Sequence, residues 1–149
     1  MTKFSGTIRP LTATDRQAWA PLWAGYLEFY HATVAADVSE LTFARLLDSA
    51  EPMFCLVAEA DGRVIGIVHC VLHRSTWWGG LYLYLQDLFV VRDVRGSGAG
   101  RALIEAVYAR ADELDAERVY WLTHESNATA RLLYDRVAER SGFIQYRRR

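Results

Sequence analysis

The chain has 149 residues, of which 52% are apolar and 23% charged, a composition typical of one folded domain rather than of a disordered segment. Its net charge of −1 gives no field that would attract nucleic acid or an anionic membrane surface. Residues 1–10 lack the layout of a signal peptide, and no apolar run reaches the roughly 18 residues that span a bilayer. We therefore expect a single domain over residues 1–149, located in the cytoplasm, with no nucleic-acid or membrane partner.

Neither the cysteines nor the terminal charges indicate a site. Cys55 and Cys70 lie in apolar runs that resemble strands, so buried thiols are their simplest interpretation. No Cys/His pair has the spacing of metal ligands, and we expect no metal site. Residues 147–149 are three arginines, for which a solvated tail is a better interpretation than a binding patch.

The first third of the chain predicts one short strand, from Phe4 to Leu11, followed by two helices. Thr14 with Gln17 three residues later forms a capping-box pattern at the start of the first helix. Pro21 lies inside that helix and predicts a kink or a later start. Its apolar stripe has helical spacing and consists of Trp19, Leu22, Trp23, Tyr26, Leu27 and Tyr30. Ser39 is the cap candidate of the second helix, with one face formed by Phe43, Leu46 and Leu47.

Three strands follow. Met53 to Ala60 and Arg63 to Leu72 form a hairpin, because Asp61 and Gly62 between them tolerate the positive φ of a two-residue turn. Residues 77–80 form a loop, whose Trp77 and Trp78 could line an acceptor site, mediate an oligomer contact or only fill the loop. The long apolar run from Leu81 to Val91 is suited to a strand that is covered on both faces.

The last third predicts a Gly-rich loop over 92–100, a helix over 102–114, a strand over 119–122, a helix over 127–141 that Gly142 ends, and a last strand over 143–146. This order of elements indicates the α/β class, with helices on both faces of a mixed sheet. The strands joined by short turns should be antiparallel, and the later strand–helix–strand units should add parallel pairing.

The loop from Arg95 to Gly100 is the strongest chemical signal. Glycines let the backbone approach an anion, and the helix start that follows supplies unpaired N–H groups and a partial positive charge. Arg95 and Arg101 can add charge to this pyrophosphate cradle. A P-loop would need Lys-Ser/Thr, and a dinucleotide fingerprint would need Gly or Ala where Arg101 or Leu103 stands. The alternative without a ligand is a turn that only caps the helix.

The sequence Arg95-Gly96-Ser97-Gly98-Ala99-Gly100 resembles the Arg/Gln-x-x-Gly-x-Gly/Ala signature of the GNAT superfamily of N-acetyltransferases. The resemblance extends in order from Phe54 to Tyr146. It includes the segments 88–91 and 101–104 around the loop, and then 120–123, 125–127 and 132–134. Within the superfamily, residues 84–90 and 125–127 are similar to the yeast histone-and-polyamine type and to the diamine (spermidine/spermine) acetyltransferases.

The resemblance implies a three-layer GNAT-type fold and direct transfer of an acetyl group from acetyl-CoA to a primary amine in a ternary complex. The implied cofactor-binding residues are Leu88, Phe89, Val90, Arg95, Gly96, Ser97, Gly98, Ala99, Gly100, Arg101, Asn127 and Tyr134. The backbone N–H groups of Leu88 and Val90 would stabilise the thioester oxygen, and Val90 would also hold the pantetheine arm. Tyr134 would protonate the leaving thiolate, although its place on an apolar stripe also suits a core residue. Asn127 could serve as an N-cap as well.

The general base is less clear, because the diamine-specific relatives have a Glu-Asp pair where this chain has Gln86-Asp87. Gln86 cannot be a base, so Asp87 is the candidate for the base or for the amine anchor. The alternative for Asp87 is a structural carboxylate paired with an arginine. Further candidates are His73, His124 and Glu125. The implied acceptor-binding residues are Tyr26, Glu28, Tyr30, Gln86 and Asp87.

The leading hypothesis is therefore an N-acetyltransferase that acts on a small amine, a polyamine or an amino acid. The alternatives are acetylation of protein lysines or N-termini, and a CoA-binding sensor domain without turnover. Relatives with this C-terminal pattern commonly dimerise, sometimes by exchanging the last strand, so a homodimer is expected. The stretch 137–141 is longer than the common form of the motif, and its role is not indicated.

Overall fold

Five strands form one sheet in the order in which they occur in the chain. They are β1 (Thr7–Pro10), β2 (Met53–Ala60), β3 (Arg63–Arg74), β4 (Leu81–Val90) and β5 (Ala116–Tyr120). The computed structural model describes residues 3–149. Strands β1 to β4 are antiparallel to their neighbours, and β5 is parallel to β4. Asp61 and Gly62 have φ angles of 53° and 72°, as the hairpin turn requires. The mixed sheet of the α/β class is confirmed.

Four helices cover the two faces of this sheet: α1 (Arg16–Phe29), α2 (Ala36–Leu47), α3 (Ala99–Glu113) and α4 (Ala128–Val137). One buried cluster packs Trp19 and Phe43 of α1 and α2 against Ile67 of β3. The other packs Leu103 of α3 against Leu83 of β4, on the opposite face. The two clusters are the two interfaces of a three-layer fold. None of the helices within residues 3–149 is long and apolar enough to cross a membrane.

The predicted caps of the first two helices are wrong. Helix α1 begins at Arg16 rather than after Thr14, because Asp15 ends a short 3₁₀ turn and its carboxylate accepts the N–H of Thr12 at 2.7 Å. The helix continues through Pro21, and burial of the stripe that includes Trp19 offsets the backbone bond that proline removes. Ser39 lies inside α2, where its hydroxyl accepts the indole N–H of Trp23 at 3.0 Å.

The C-terminal elements differ most from the prediction. Helix α4 ends at Val137, because Ala138 has extended backbone angles of −153° and −176°, so Gly142 is not its stop signal. Residues 143–146 form no strand, and the side chains of Phe143 and Tyr146 are 83% and 89% exposed. The residues of a segment show whether it could form a strand, but they do not show whether another strand is available to pair with it. Strand β5 also begins three residues earlier than predicted, at Ala116, and ends two residues earlier, at Tyr120.

Candidate active site

A gap opens between β4 and β5 at one end of the sheet. The two strands pair only as far as Tyr84 and Tyr120, whereas β4 continues to Val90. Val91 donates its N–H to the carbonyl of Ile65 at 2.9 Å, which makes it a hydrogen-bonded position of the ladder with β3. Hydrogen-bonded and non-hydrogen-bonded positions alternate in an antiparallel pair. The N–H groups of Leu88 and Val90 therefore point away from β3, into the gap.

The Gly-rich loop lies beside this gap and has the backbone of an anion cradle. Gly96 and Gly98 have φ angles of 81° and 101°, and helix α3 begins directly after, at Ala99. The first N–H groups of a helix have no intrahelical partner and carry partial positive charge. The Ser97 hydroxyl is buried and has no hydrogen-bond partner among residues 3–149. These groups fit a pyrophosphate, which would accept from both the hydroxyl and the helix start.

Arg95 connects the loop to β4. Its Nε donates to the carbonyl of Val90 at 2.8 Å, and its guanidinium carbon lies 5.1 Å from the ring centre of Phe89 and 5.8 Å from that of Phe29. Arg95 therefore fixes the loop against the strand as well as adding charge. Arg101 lies exposed on α3, where its Nε donates to Glu105 at 2.8 Å.

Tyr134 reaches the same region from α4. Its ring packs edge-on against Trp121, with 5.4 Å between ring centres. Burial, and after it the neighbouring Tyr30, raises the pKa of Tyr134 to about 12. The hydroxyl therefore remains a proton donor at physiological pH. Asn127 stands just before α4, but its side chain donates to the Thr123 hydroxyl at 3.1 Å instead of capping the helix.

A cluster of aromatic side chains lies near the end of α1, on the face of the sheet opposite to α3 and α4. Tyr84 and Tyr120 stack with 5.0 Å between ring centres, and Tyr26 packs on Tyr30 at the same distance. Burial raises the pKa of both Tyr26 and Tyr84, and the charge of Asp87 raises both further. Asp87 thus lies among tyrosine side chains whose hydroxyl groups stay protonated.

A β-bulge turns Asp87 towards this aromatic cluster. His69 and Asp87 are partners in the register of β3 and β4, and so are Cys70 and Leu85, which leaves Gln86 without a partner. Gln86 is exposed, whereas the Asp87 side chain is 12% exposed. The carboxylate lies 2.9 Å from Nδ1 of His69, so its partner is a histidine and not the arginine of the structural alternative.

The other expected acceptor residues are only partly brought together. Tyr26 and Tyr30 belong to the aromatic cluster, whereas Glu28 is exposed. Tyr30 also stacks on His124 beside a cavity of about 280 Å³ between the end of α1 and the segment after β5. Trp77 is 75% exposed in its loop.

Two residues of the site were not expected from the sequence. His69 and its partner Trp19 are buried, and an isolated histidine or tryptophan in an apolar segment looks like any other core residue. The available signal was register, because a hairpin that joins β3 to β4 can place His69 opposite Asp87. Among the further candidates for the base, His73 bonds to the hydroxyl of Tyr120 at 2.6 Å, and Glu125 is exposed.

Residues 17–138 match the model of the Acetyltransferase (GNAT) family. The donors in the gap, the loop before α3 and the three-layer fold agree with this match. The chain belongs to the GNAT family, and it is an N-acetyltransferase.

Individual relatives support the same assignment. The chain is 36% identical over 143 residues to the D-amino-acid N-acetyltransferase HPA3 of Saccharomyces cerevisiae, a match that covers 95% of this chain and 89% of the relative. Two solved structures share the fold at lower identity. The ribosomal-protein-alanine N-acetyltransferase of Brucella melitensis has a TM-score of 0.79 at 23% identity, over 97% of this chain and 99% of that one. The aminoglycoside N-acetyltransferase AAC(6')-Iy, in complex with CoA, has a TM-score of 0.77 at 18% identity, over 96% and 93%.

Proposed function

We propose that this chain, acting as one domain, transfers an acetyl group from acetyl-CoA to the primary amine of a free amino acid. The observation that carries the proposal is the Asp87 carboxylate, which lies 2.9 Å from Nδ1 of His69 and among tyrosine side chains beside the β4–β5 gap. One carboxylate among tyrosine rings suits one ammonium group, whereas a polyamine would favour several carboxylates spaced along a groove. The relative HPA3, which is named for action on D-amino acids, supports the same class.

The donor would bind along the gap and over the Gly-rich loop, and its thioester would supply the acetyl group. The N–H groups of the loop and of the α3 start, with the Ser97 hydroxyl, would hold its pyrophosphate. Asn127 and Tyr134 would contact it from α4. Leu88 and Val90 would donate their N–H groups to the thioester oxygen, where negative charge grows during the attack.

Asp87 and Tyr134 would carry the two protons of the reaction. An acceptor ammonium binds against Asp87 and transfers one proton to the carboxylate, because only a neutral amine can attack a thioester. The carbon–nitrogen bond then forms as the carbon–sulfur bond breaks. Tyr134 gives its hydroxyl proton to the departing sulfur. The acylated nitrogen loses its second proton, which returns to the Tyr134 oxygen through solvent, and Asp87 releases the first proton to solvent, so the product amide is neutral.

The test is turnover of acetyl-CoA, followed as release of free thiol, against D- and L-amino acids, polyamines, aminoglycosides and lysine peptides. We expect saturable turnover with amino acids, and its loss in Asp87→Asn with unchanged affinity for CoA. Saturation by a polyamine or a peptide alone would overturn the acceptor class. Binding of CoA without turnover on any acceptor would favour the sensor domain instead.

We also propose a homodimer in which residues 143–146 of one chain pair with a strand edge of the other. Phe143, Ile144 and Tyr146 are exposed, and β5 has a neighbour on only one side among residues 3–149. An apolar segment and an open edge are complementary surfaces. Light scattering should give a dimer for the full chain and a monomer for a chain that ends at Ser141. A full-length monomer at assay concentration would contradict the exchange.

A further inference from the structure

Asp87 lies at the end of a chain of buried side chains that begins in α1. The indole Nε1 of Trp19 lies 3.0 Å from Nε2 of His69, and Nδ1 of His69 lies 2.9 Å from Oδ2 of Asp87. Trp19 is 1% exposed, and the His69 side chain is 4% exposed. All three groups are held within the interface between α1 and the sheet.

The donor and acceptor roles in this chain follow from the indole. An indole N–H can only donate, so Nε2 of His69 must accept and carries no proton. The single proton of the neutral ring is then on Nδ1, from which it is donated to Asp87. The ionised Asp87 carboxylate can also only accept, so Trp19 and Asp87 require the same tautomer of His69, and that tautomer directs an N–H at the carboxylate.

We infer that Trp19 and His69 are positioning residues that orient the Asp87 carboxylate for the acceptor amine. The inference rests on the proposed role of Asp87. A neutral imidazole suits this task, because it orients the carboxylate and leaves its negative charge in place. An arginine partner would cancel that charge. The carboxylate retains acceptor capacity for an ammonium group, since each of its oxygens accepts more than one hydrogen bond.

Packing holds the imidazole in this orientation. The ring of His69 lies 6.0 Å from that of Trp19 and 5.2 Å from that of Trp23, both on α1. The bulge at Gln86 places Asp87 opposite His69 in the register of β3 and β4. Both ring nitrogens are engaged and the ring is buried, so His69 acts through Asp87 and not on the substrate.

The first experiment reads the tautomer without any catalysis. Long-range ¹H–¹⁵N correlation of imidazole-labelled protein at neutral pH should show His69 with its proton on Nδ1. Trp19→Phe removes the indole N–H but leaves Asp87 as the acceptor, so it should keep the proton on Nδ1 and shift the resonance of the unprotonated Nε2. Trp23→Phe is the matched control, because its N–H donates to Ser39, and it should keep the single Nδ1–H form without that shift. A proton on Nε2 in the wild type, or an Nε2 resonance that does not move in Trp19→Phe, would overturn the inference.

The second experiment reads the consequence for the acceptor. His69→Leu keeps the approximate volume but removes the donor, and misplacement of the carboxylate should lower kcat/KM for the amine roughly 100-fold with unchanged KM for acetyl-CoA. His69→Asn places an N–H the same number of bonds from the backbone as Nδ1, and it should recover at least roughly tenfold of that loss. Equal activity of the two variants would assign the effect to packing and refute positioning.

The two proposals fail in different ways. If Asp87→Asn keeps full turnover, the proposed role of Asp87 is wrong, whatever tautomer His69 adopts. If Asp87→Asn abolishes turnover but His69→Leu matches the wild type, Asp87 keeps its role and the inference about Trp19 and His69 is wrong.

Discussion

Gly98 allows a direct test of the phosphate loop, because a side chain there changes only the backbone energy. Its φ is 101°, and a Cβ built on it would meet nothing within 4 Å. Alanine at such an angle costs about 1–3 kcal/mol. That cost corresponds to roughly a 5- to 150-fold change in an equilibrium constant.

The structure indicates where this cost should appear. The loop lies outside the sheet, so in the alanine variant it can relax to a less strained backbone by giving up the cradle geometry. Binding of CoA would then have to restore the φ of 101°. In Gly98→Ala we therefore expect the dissociation constant for CoA to rise by roughly 5- to 150-fold, measured by titration calorimetry. If the loop cannot relax, the same free energy appears as a lower Tm.

Gly100→Ala is the matched control. Gly100 does not have a positive φ, and its Cβ would lie 3.6 Å from Leu133, which is ordinary contact. It also lies inside α3, where alanine is favoured over glycine by about 1 kcal/mol. We expect its CoA affinity to stay close to that of the wild type and its Tm to be unchanged or higher. The reasoning fails if Gly98→Ala changes neither affinity nor Tm, or if Gly100→Ala is equally damaging.

Three further predictions concern the acid, the loop arginine and stability in acid. Tyr134→Phe should lower kcat by roughly 10²- to 10⁴-fold while CoA still binds normally. Because the pKa of Tyr134 is about 12, the wild type should show no loss of rate from this group below about pH 11, and an earlier Tyr134-dependent decline would contradict that value. Arg95→Lys loses the planar group between Phe89 and Phe29, so calorimetry should show CoA binding weakened by roughly tenfold. An unchanged affinity would show that the arginine has no role in fixing the loop. The hydrogen bond from Arg9 lowers the pKa of Asp15 from 3.8 to about 2, a stabilisation of about 2 kcal/mol at 1.36 kcal/mol per pKa unit. Since the folded-state pKa is the lower one, this stabilisation is present above about pH 4 and is lost as the pH falls through about 2. Urea unfolding should therefore show that Asp15→Asn is less stable than the wild type at pH 7 by about that amount, with a smaller deficit near pH 2.

The sequence predicted the parts of this molecule that depend on local chemistry. The donor loop was found because Gly98 must adopt a positive φ and a helix must follow it. The hairpin at Asp61 was found for a similar reason. In both cases the residues that set the backbone are adjacent in sequence, so the pattern and its cause lie in the same few positions.

The parts that depend on distant partners were not predicted. Ser39 has the pattern of a helix cap, but its partner, the indole of Trp23, lies on another helix. The link between His69 and Asp87 requires both the strand register and the bulge. The tail from Phe143 onward has the pattern of a strand but no partner in its own chain among the described residues. Each of these errors concerns the identity of a distant contact partner, and the local sequence does not contain that information.

The bond between Phe4 and the donor loop has a practical consequence. The amide of Phe4 donates to the carbonyl of Ser97 at 2.7 Å, so the segment before β1 is fastened to the loop that would hold the pyrophosphate. Exchange of that amide with solvent deuterium should slow when CoA orders the loop. A single amide near the start of the chain would then report occupancy of a site almost a hundred residues away. For the same reason, a purification tag is better attached elsewhere than directly before Phe4.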